Sequence, residues 1–213
     1  MAKVIVPVGF DGGPLFDRDD SNGAITGPGT FEIVKPTEII DLTRDEYRVW
    51  LLSYADPEAA SRCEFSRADL ENLATLEMAA QEADGNPAVD VLAVVDRLFK
   101  YGLLAEFDPD GPSGLEFLKN HRLFPSGDGL GESEDTPGYF QVGREGRILL
   151  KLMIDPYVAW LQGAYAKSIW DNMIAFRADS DEEPLLSEQN TMQMVAQSVP
   201  GIVTNRCGFV QPS

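Results

Sequence analysis

The sequence predicts an α+β protein built as two similar units in tandem, and three observations carry that expectation. Capped amphipathic helices follow short extended runs in the first half. The spacing Phe…Ile…Tyr-x-x-Trp-Leu recurs in the second half, at 31–51 and 140–161. Between the two lies a stretch rich in Gly, Pro, Ser and acid, the composition of a linker. The expected division is an N-terminal strand and loop over 1–30, a first unit over 31–110, a linker over 111–137 and a second unit over 138–213. A chain of 213 residues with 44% apolar content suffices for one ordinary domain or two small ones.

Taken in order, the run Val-Ile-Val-Pro-Val at 4–8 reads as a strand, and Pro7, with no N–H for a central ladder, assigns it to a sheet edge. The Gly/Pro/Asp-rich run that follows reads as loop. Phe31 to Val34 and Glu38 to Leu42 are extended runs separated by Lys-Pro-Thr, a hairpin. Thr43-x-x-Glu46 is a capping box, and Tyr47, Trp50, Leu51 and Tyr54 recur at helical spacing, so a helix starts there and stops near Pro57. Ser66 caps a second helix, with Asp69 in its first turn, and Gly85-Asn86-Pro87 ends it. In a third helix Val91, Val94, Val95 and Leu98 form one apolar stripe, and Gly102 supplies a left-handed terminator. Leu103 to Phe107 is a strand. Within the linker only Leu115 to Phe124 keeps apolar spacing, and it reads as one short helix.

The second half aligns Phe140 with Phe31 and Ile148 with Ile39. After one extra residue, Tyr157 matches Tyr47 and Trp160-Leu161 matches Trp50-Leu51. Farther on, the stretch around Ser187 sits over that around Ser66. The helix over 161–177 is longer than its counterpart, and Pro200 interrupts the place of the third helix, so the second copy reads as degenerate. Tyr47, Trp50, Leu98, Tyr157 and Trp160 read as structural.

Composition narrows the function. With 17 Lys+Arg against 35 Asp+Glu, the average field opposes phosphate backbones and anionic lipid and favours partners of positive charge. The N-terminal apolar run is too short for a signal peptide and no later one spans a membrane, so a soluble cytoplasmic protein is expected. Cys63 and Cys207 match no metal or redox spacing and read as inert thiols. His121, the one histidine in the chain, is expected to be solvated in the linker helix beside Arg122. It supports neither a zinc set nor a Ser/His or Cys/His dyad. The alternating glycines of 126–132 lack the strand and Lys-Ser/Thr of a phosphate loop. Asp17, Asp19 and Asp20 fail the oxygen count of a calcium loop and read, like the acids of 179–183, as solvated. No catalytic residue, metal or cofactor is expected.

The runs LTRDEYRVWLLSYADP, FSRADLENLA and VVDRLFKYGLLAEFDPD resemble the MarR-type winged helix-turn-helix over about 31–110, and more faintly over 138–213. That resemblance implies two tandem winged-helix-like domains. Used on DNA, they would present Arg67, Arg97 and Lys100, with Arg144, Arg147 and Lys151 on the second hairpin. Charge argues against that use, since 31–110 carries 7 Lys+Arg and 18 Asp+Glu. A hairpin ahead of three helices is also similar to the PqqD-like peptide-recognition elements of ribosomal peptide biosynthesis, which hold a leader peptide as an added strand beside the third helix. This second resemblance implies an open strand edge and an apolar groove, for which Phe31, Ile33, Ile39, Val91, Val95 and Phe99 are the candidates. The expectation is a non-catalytic binding or adaptor protein that recognises a peptide or protein, with a DNA-binding transcriptional regulator as the alternative.

Overall fold

The computed structural model describes residues 3–18, 25–179 and 186–213. β1 (Val4–Pro7) precedes a meander of β2 (Phe10–Arg18), β3 (Ile25–Val34) and β4 (Ile39–Leu42). Then come α1 (Arg44–Leu52), the short α2 (Pro57–Ser61), α3 (Arg67–Ala83), α4 (Val91–Lys100) and β5 (Leu104–Phe107). α5 (Pro112–Asn120) leads to β6 (His121–Pro125) and a second meander, β7 (Asp128–Glu132), β8 (Tyr139–Arg144) and β9 (Arg147–Met153). α6 (Ile154–Gln162), α7 (Ile169–Ala178), α8 (Glu188–Thr204) and β10 (Gly208–Pro212) complete the order. The α+β class is as expected. Each half opens with a strand that pairs antiparallel with the strand closing it, β1 with β5 and β6 with β10. Each also holds a three-stranded antiparallel sheet, in the orders β2-β3-β4 and β7-β8-β9. No helix among the described residues is long and apolar enough to cross a membrane.

Local chemistry places the helix starts. Thr43 Oγ1 accepts the Glu46 N–H, while Glu46 Oε2 accepts the Thr43 N–H and O–H at 2.9 and 2.8 Å. Ser66 with Asp69 repeats the arrangement, and Ser168 caps α7 through the Asp171 N–H. The last helices of the two halves end alike. Gly102 (φ 65°) donates to Phe99 O and Leu103 N–H to Leu98 O; Arg206 (φ 56°) donates to Val203 O and Cys207 N–H to Ile202 O. The carbonyl presented next is shared in both. Leu103 O accepts Trp50 Nε1–H at 3.1 Å and Val8 N–H at 2.9 Å; Cys207 O accepts Trp160 Nε1–H at 2.7 Å and Ser126 N–H at 2.9 Å. Phe31 stacks on Tyr47 at 4.3 Å and Phe140 on Tyr157 at 4.7 Å. Trp50 and Trp160 therefore occupy equivalent places, each almost fully buried.

Several expectations are corrected. The described part of the run after β1 is not loop: it forms β2 and the start of β3, whose ladder absorbs its Gly and Pro residues through register shifts between Asp11 and Gly13 and around Phe16. The stretch 111–137 carries more than the one short helix expected: α5 ends at Asn120, and β6 and β7 follow it. Pro125-Ser126-Gly127 after β6 stands where Pro7-Val8-Gly9 stands after β1. The expected match of Ile39 with Ile148 holds in the ladders, where Val34 faces Ile39 and Gly143 faces Ile148, behind two-residue turns at 36–37 and 145–146. The extra residue is Leu149, a bulge in β9, after which Ile33 facing Ile40 corresponds to Val142 facing Leu150. The helix expected over 161–177 breaks at Gly163, where a side chain would strike Leu123 O, and restarts at the Ser168 cap. Ser168, and not Ser187, is thus the counterpart of Ser66. α8 continues through Pro200, which is buried.

Two apolar clusters make the core, and β1 feeds both. Ile5 joins Ile33, Leu42, Trp50, Leu70, Val95 and Leu98 in the first. Val4 and Val6, on the other face of the same strand, join Phe107, Leu123, Trp160, Val195 and Ile202 in the second. A strand buried on both faces reads as a continuous apolar run, which is why Val-Ile-Val shows no alternation. Tyr54 borders both clusters.

Candidate functional site

In the first unit the expected strand edge exists, because β4 ends its sheet and pairs with β3 alone. The expected groove is mostly core. Ile33 and Val95 are fully buried and Val91 nearly so, while Phe99 packs on the same cluster with the Arg67 guanidinium 5.1 Å from its ring centre. Phe31 lies against Tyr47, and Ile39 is 56% exposed on the sheet. Charges close over this region. Glu46 Oε1 accepts Arg97 Nε–H at 2.9 Å, and Lys35 Nζ donates to Tyr101 O at 2.6 Å and pairs with Glu38 at 2.8 Å. Burial pushes the Glu46 pKa up, but the Thr43 and Arg97 hydrogen bonds and the Arg97 charge outweigh it, so the carboxyl lies below its ordinary value.

The basic candidates divide between the two halves. Arg67 is held by Glu71 and Asp96, each at 2.6 Å, and Arg97 by Glu46. Lys100 is exposed at the end of α4. Arg144 Nη2 donates to the carbonyls of Ser126 and Arg206 at 3.1 and 3.0 Å, Lys151 donates to Thr136 Oγ1 at 3.2 Å, and Arg147 is exposed at the start of β9. Carboxylates on Arg67 and Arg97 remove two of the three cations that α3 and α4 would offer a phosphate.

His121 is not a solvated helix residue. It begins β6, stacks on Phe117 at 4.2 Å and donates from Nδ1 to Phe117 O at 2.9 Å; burial holds its pKa below 6.5. Cys63 donates to Gln197 O at 3.2 Å, and burial, with the Asp110 charge, pushes its pKa up to about 11. Cys207 is buried and its pKa is raised by that burial. Thiols so shifted stay protonated. Asp19 and Asp20 lie outside the described residues, as do 180–183 of the acid run. Among the described residues no group of three or more His, Cys, Asp or Glu is arranged to hold a metal ion.

A cleft in the second half has the geometry expected of the first. β9 ends the sheet β7-β8-β9, and beside its outer residues a cleft of about 280 Å³ opens toward α8. Leu150, Leu152 and Met153 form the strand side, Met194 and Gln197 the helix side, and Tyr139 one end. Met194 and Leu150 are half-buried. α2 lies across α8, where Ser61 approaches Gly201 so closely that a Cβ on the glycine would meet Ser61 Oγ at 2.8 Å. An unpaired strand edge next to such a cleft can accept a further strand, with main-chain hydrogen bonds on one side and alternate side chains inserted on the other. The sequence held one signal for this placement, the Pro-x-Gly that follows both β1 and β6, which marks where the second unit begins. No family model, curated protein or solved structure matches the chain.

Proposed function

We propose that this is a non-catalytic binding or adaptor protein that takes an extended peptide as an added strand on β9, with the peptide's alternate side chains set into the cleft against α8. The observation that carries the reading is the open edge of β9 beside the cleft walled by Leu150, Leu152, Met153, Met194 and Gln197. In this reading each half is a winged-helix-like unit of the PqqD-like kind. Support comes from the order of a three-stranded meander and then a helical triple, α1, α3 and α4 or α6, α7 and α8. The β1–β5 and β6–β10 pairs stand in the place of a wing. The first unit is then the structural copy, its groove filled by Ile33, Val91 and Val95, and the second is the receptive one. An excess of 35 Asp+Glu over 17 Lys+Arg favours peptides with basic flanks.

A displayed random-peptide library selected on the whole protein tests this. Selected peptides are expected to slow amide exchange over 147–153 and not over 39–42, and Met194→Arg is expected to weaken them at least about tenfold with an unchanged melting temperature. Peptides that protect another region, or that bind the variant as tightly, would overturn the reading. Low-salt anisotropy with random duplex DNA is expected to show no binding that Arg97→Ala weakens.

A further inference from the structure

Where the two halves meet, a second cleft of about 170 Å³ is lined by Phe10, Tyr54, Phe209, Arg144 and Arg206, with the Phe10 and Phe209 rings in contact at 5.1 Å. It shares no residue with the β9 cleft. The cations here differ from the arginines that carboxylates hold. Arg62, Arg67 and Arg97 all have carboxylate partners within 2.9 Å. Arg144 and Arg206 form no ion pair among the described residues. Arg144 is fixed by the carbonyls of Ser126 and Arg206, and the Arg206 guanidinium lies 5.4 Å from the Tyr54 ring centre. The one carboxylate in the cleft, Asp11, is already engaged by the Tyr47 hydroxyl at 2.8 Å and the Gly13 N–H at 3.0 Å. A net positive charge is left, beside aromatic walls.

Arg206 also carries an independent mark. It occupies the left-handed helix-ending position, φ 56°, that the first half fills with Gly102, φ 65°. An L-residue is strained there, and glycine would serve the fold better. The arginine contributes nothing to the cap that glycine lacks; what it adds is a guanidinium in the cleft.

We propose that this cleft binds a small carboxylate with an apolar or aromatic body, the carboxylate on Arg144 and Arg206 and the body against the rings of Phe10, Tyr54 and Phe209 that line it. The space is below the roughly 300–1,000 Å³ of drug-sized sites, so the ligand is a single small molecule or the carboxylate end of a polypeptide. Guanidinium forks match carboxylate geometry, and partial desolvation strengthens the contact.

Calorimetric titration with benzoate, with benzamide as the neutral isostere, is the test. Saturable benzoate binding is expected, at least tenfold tighter than benzamide. Arg206→Gly should melt no lower than the native protein, because glycine suits the cap, yet bind benzoate at least tenfold more weakly; Arg144→Gln should weaken it as well. The dipeptide Gly-Phe as free acid, compared with its amide and with benzoate, separates the two sources: acid tighter than benzoate assigns a chain end, acid weaker than benzoate a free small molecule. Absence of saturable binding by either acid, equal binding of acid and amide forms, or native affinity in Arg206→Gly would overturn the proposal.

Discussion

At the scale of the residue, Trp50 and Trp160 do the same work in the two halves, and truncating either tests whether they are equivalent in energy as well as place. Trp50→Ala and Trp160→Ala should each cost about 3–5 kcal/mol by chemical denaturation, the range for emptying a buried indole site. Replacement by Phe keeps most of the ring and removes only the Nε1–H. Leu103 O and Cys207 O retain a second donor, Val8 N–H and Ser126 N–H, so the added hydrogen-bond loss should be only about 1 kcal/mol beyond the packing change. Loss of a cost near 3 kcal/mol for the alanine variants would remove these residues from the core. Glu46 gives a prediction in pH. Its folded pKa lies below the ordinary 4.5, so the unfolded chain binds the proton more readily; the stability it contributes is complete above that value and lost as pH falls through the folded one. Denaturation followed between pH 6 and 3 should show a shallower acid decline in Glu46→Gln than in the native protein, and parallel curves would contradict the assignment. These residues were visible in the sequence because Tyr-x-x-Trp and Thr-x-x-Glu are local spacings with local causes. Arg206 was not, because its strain exists only once a helix end is known to fall there.

At the scale of the element, helix ends carry the repeat more faithfully than helix lengths do. α4 and α8 differ by a factor approaching two in residues, yet end in the same pair of hydrogen bonds before a strand. Gly102→Ala should therefore destabilise by about 1 kcal/mol, the cost of placing a Cβ in the left-handed region, with no change in the described contacts of α4. A thermal melt at or above the native value would show that the cap tolerates a side chain. Helix starts were legible from capping residues, and α1, α3 and α4 lie within a few positions of where spacing put them. The meanders were legible only in part. Gly- and Pro-rich strands such as β2 and β7 satisfy their ladders through register shifts, and a turn-rich composition does not distinguish that from loop. That Ile33, Val91 and Val95 are core was not legible for a related reason: the alternation and stripes of 31–42 and 91–99 describe apolar faces, and nothing local says whether a face is covered by its own core.

At the scale of the whole molecule, the pairing that matters most is also the least local. β1 and β5 pair across most of the first half, and Val4 and Val6 serve a cluster built chiefly from the second. Ile5→Asp and Val6→Asp, on opposite faces of one strand, should each abolish the native fold in both halves. Calorimetry of the native protein should show one transition whose calorimetric and van't Hoff enthalpies agree. Two resolved transitions, or a second half that keeps its near-ultraviolet signal in Val6→Asp, would show that the halves are energetically separate. The consequence reaches into how the chain is made. β1 leaves the ribosome before every other described element, but neither its ladder partner nor the cluster that covers its second face exists until far more chain has emerged. A repeat that looks suited to folding one unit after another instead waits, with an apolar strand exposed, for its partners to be synthesised, and during that interval β1 is the segment a holding chaperone would be expected to cover.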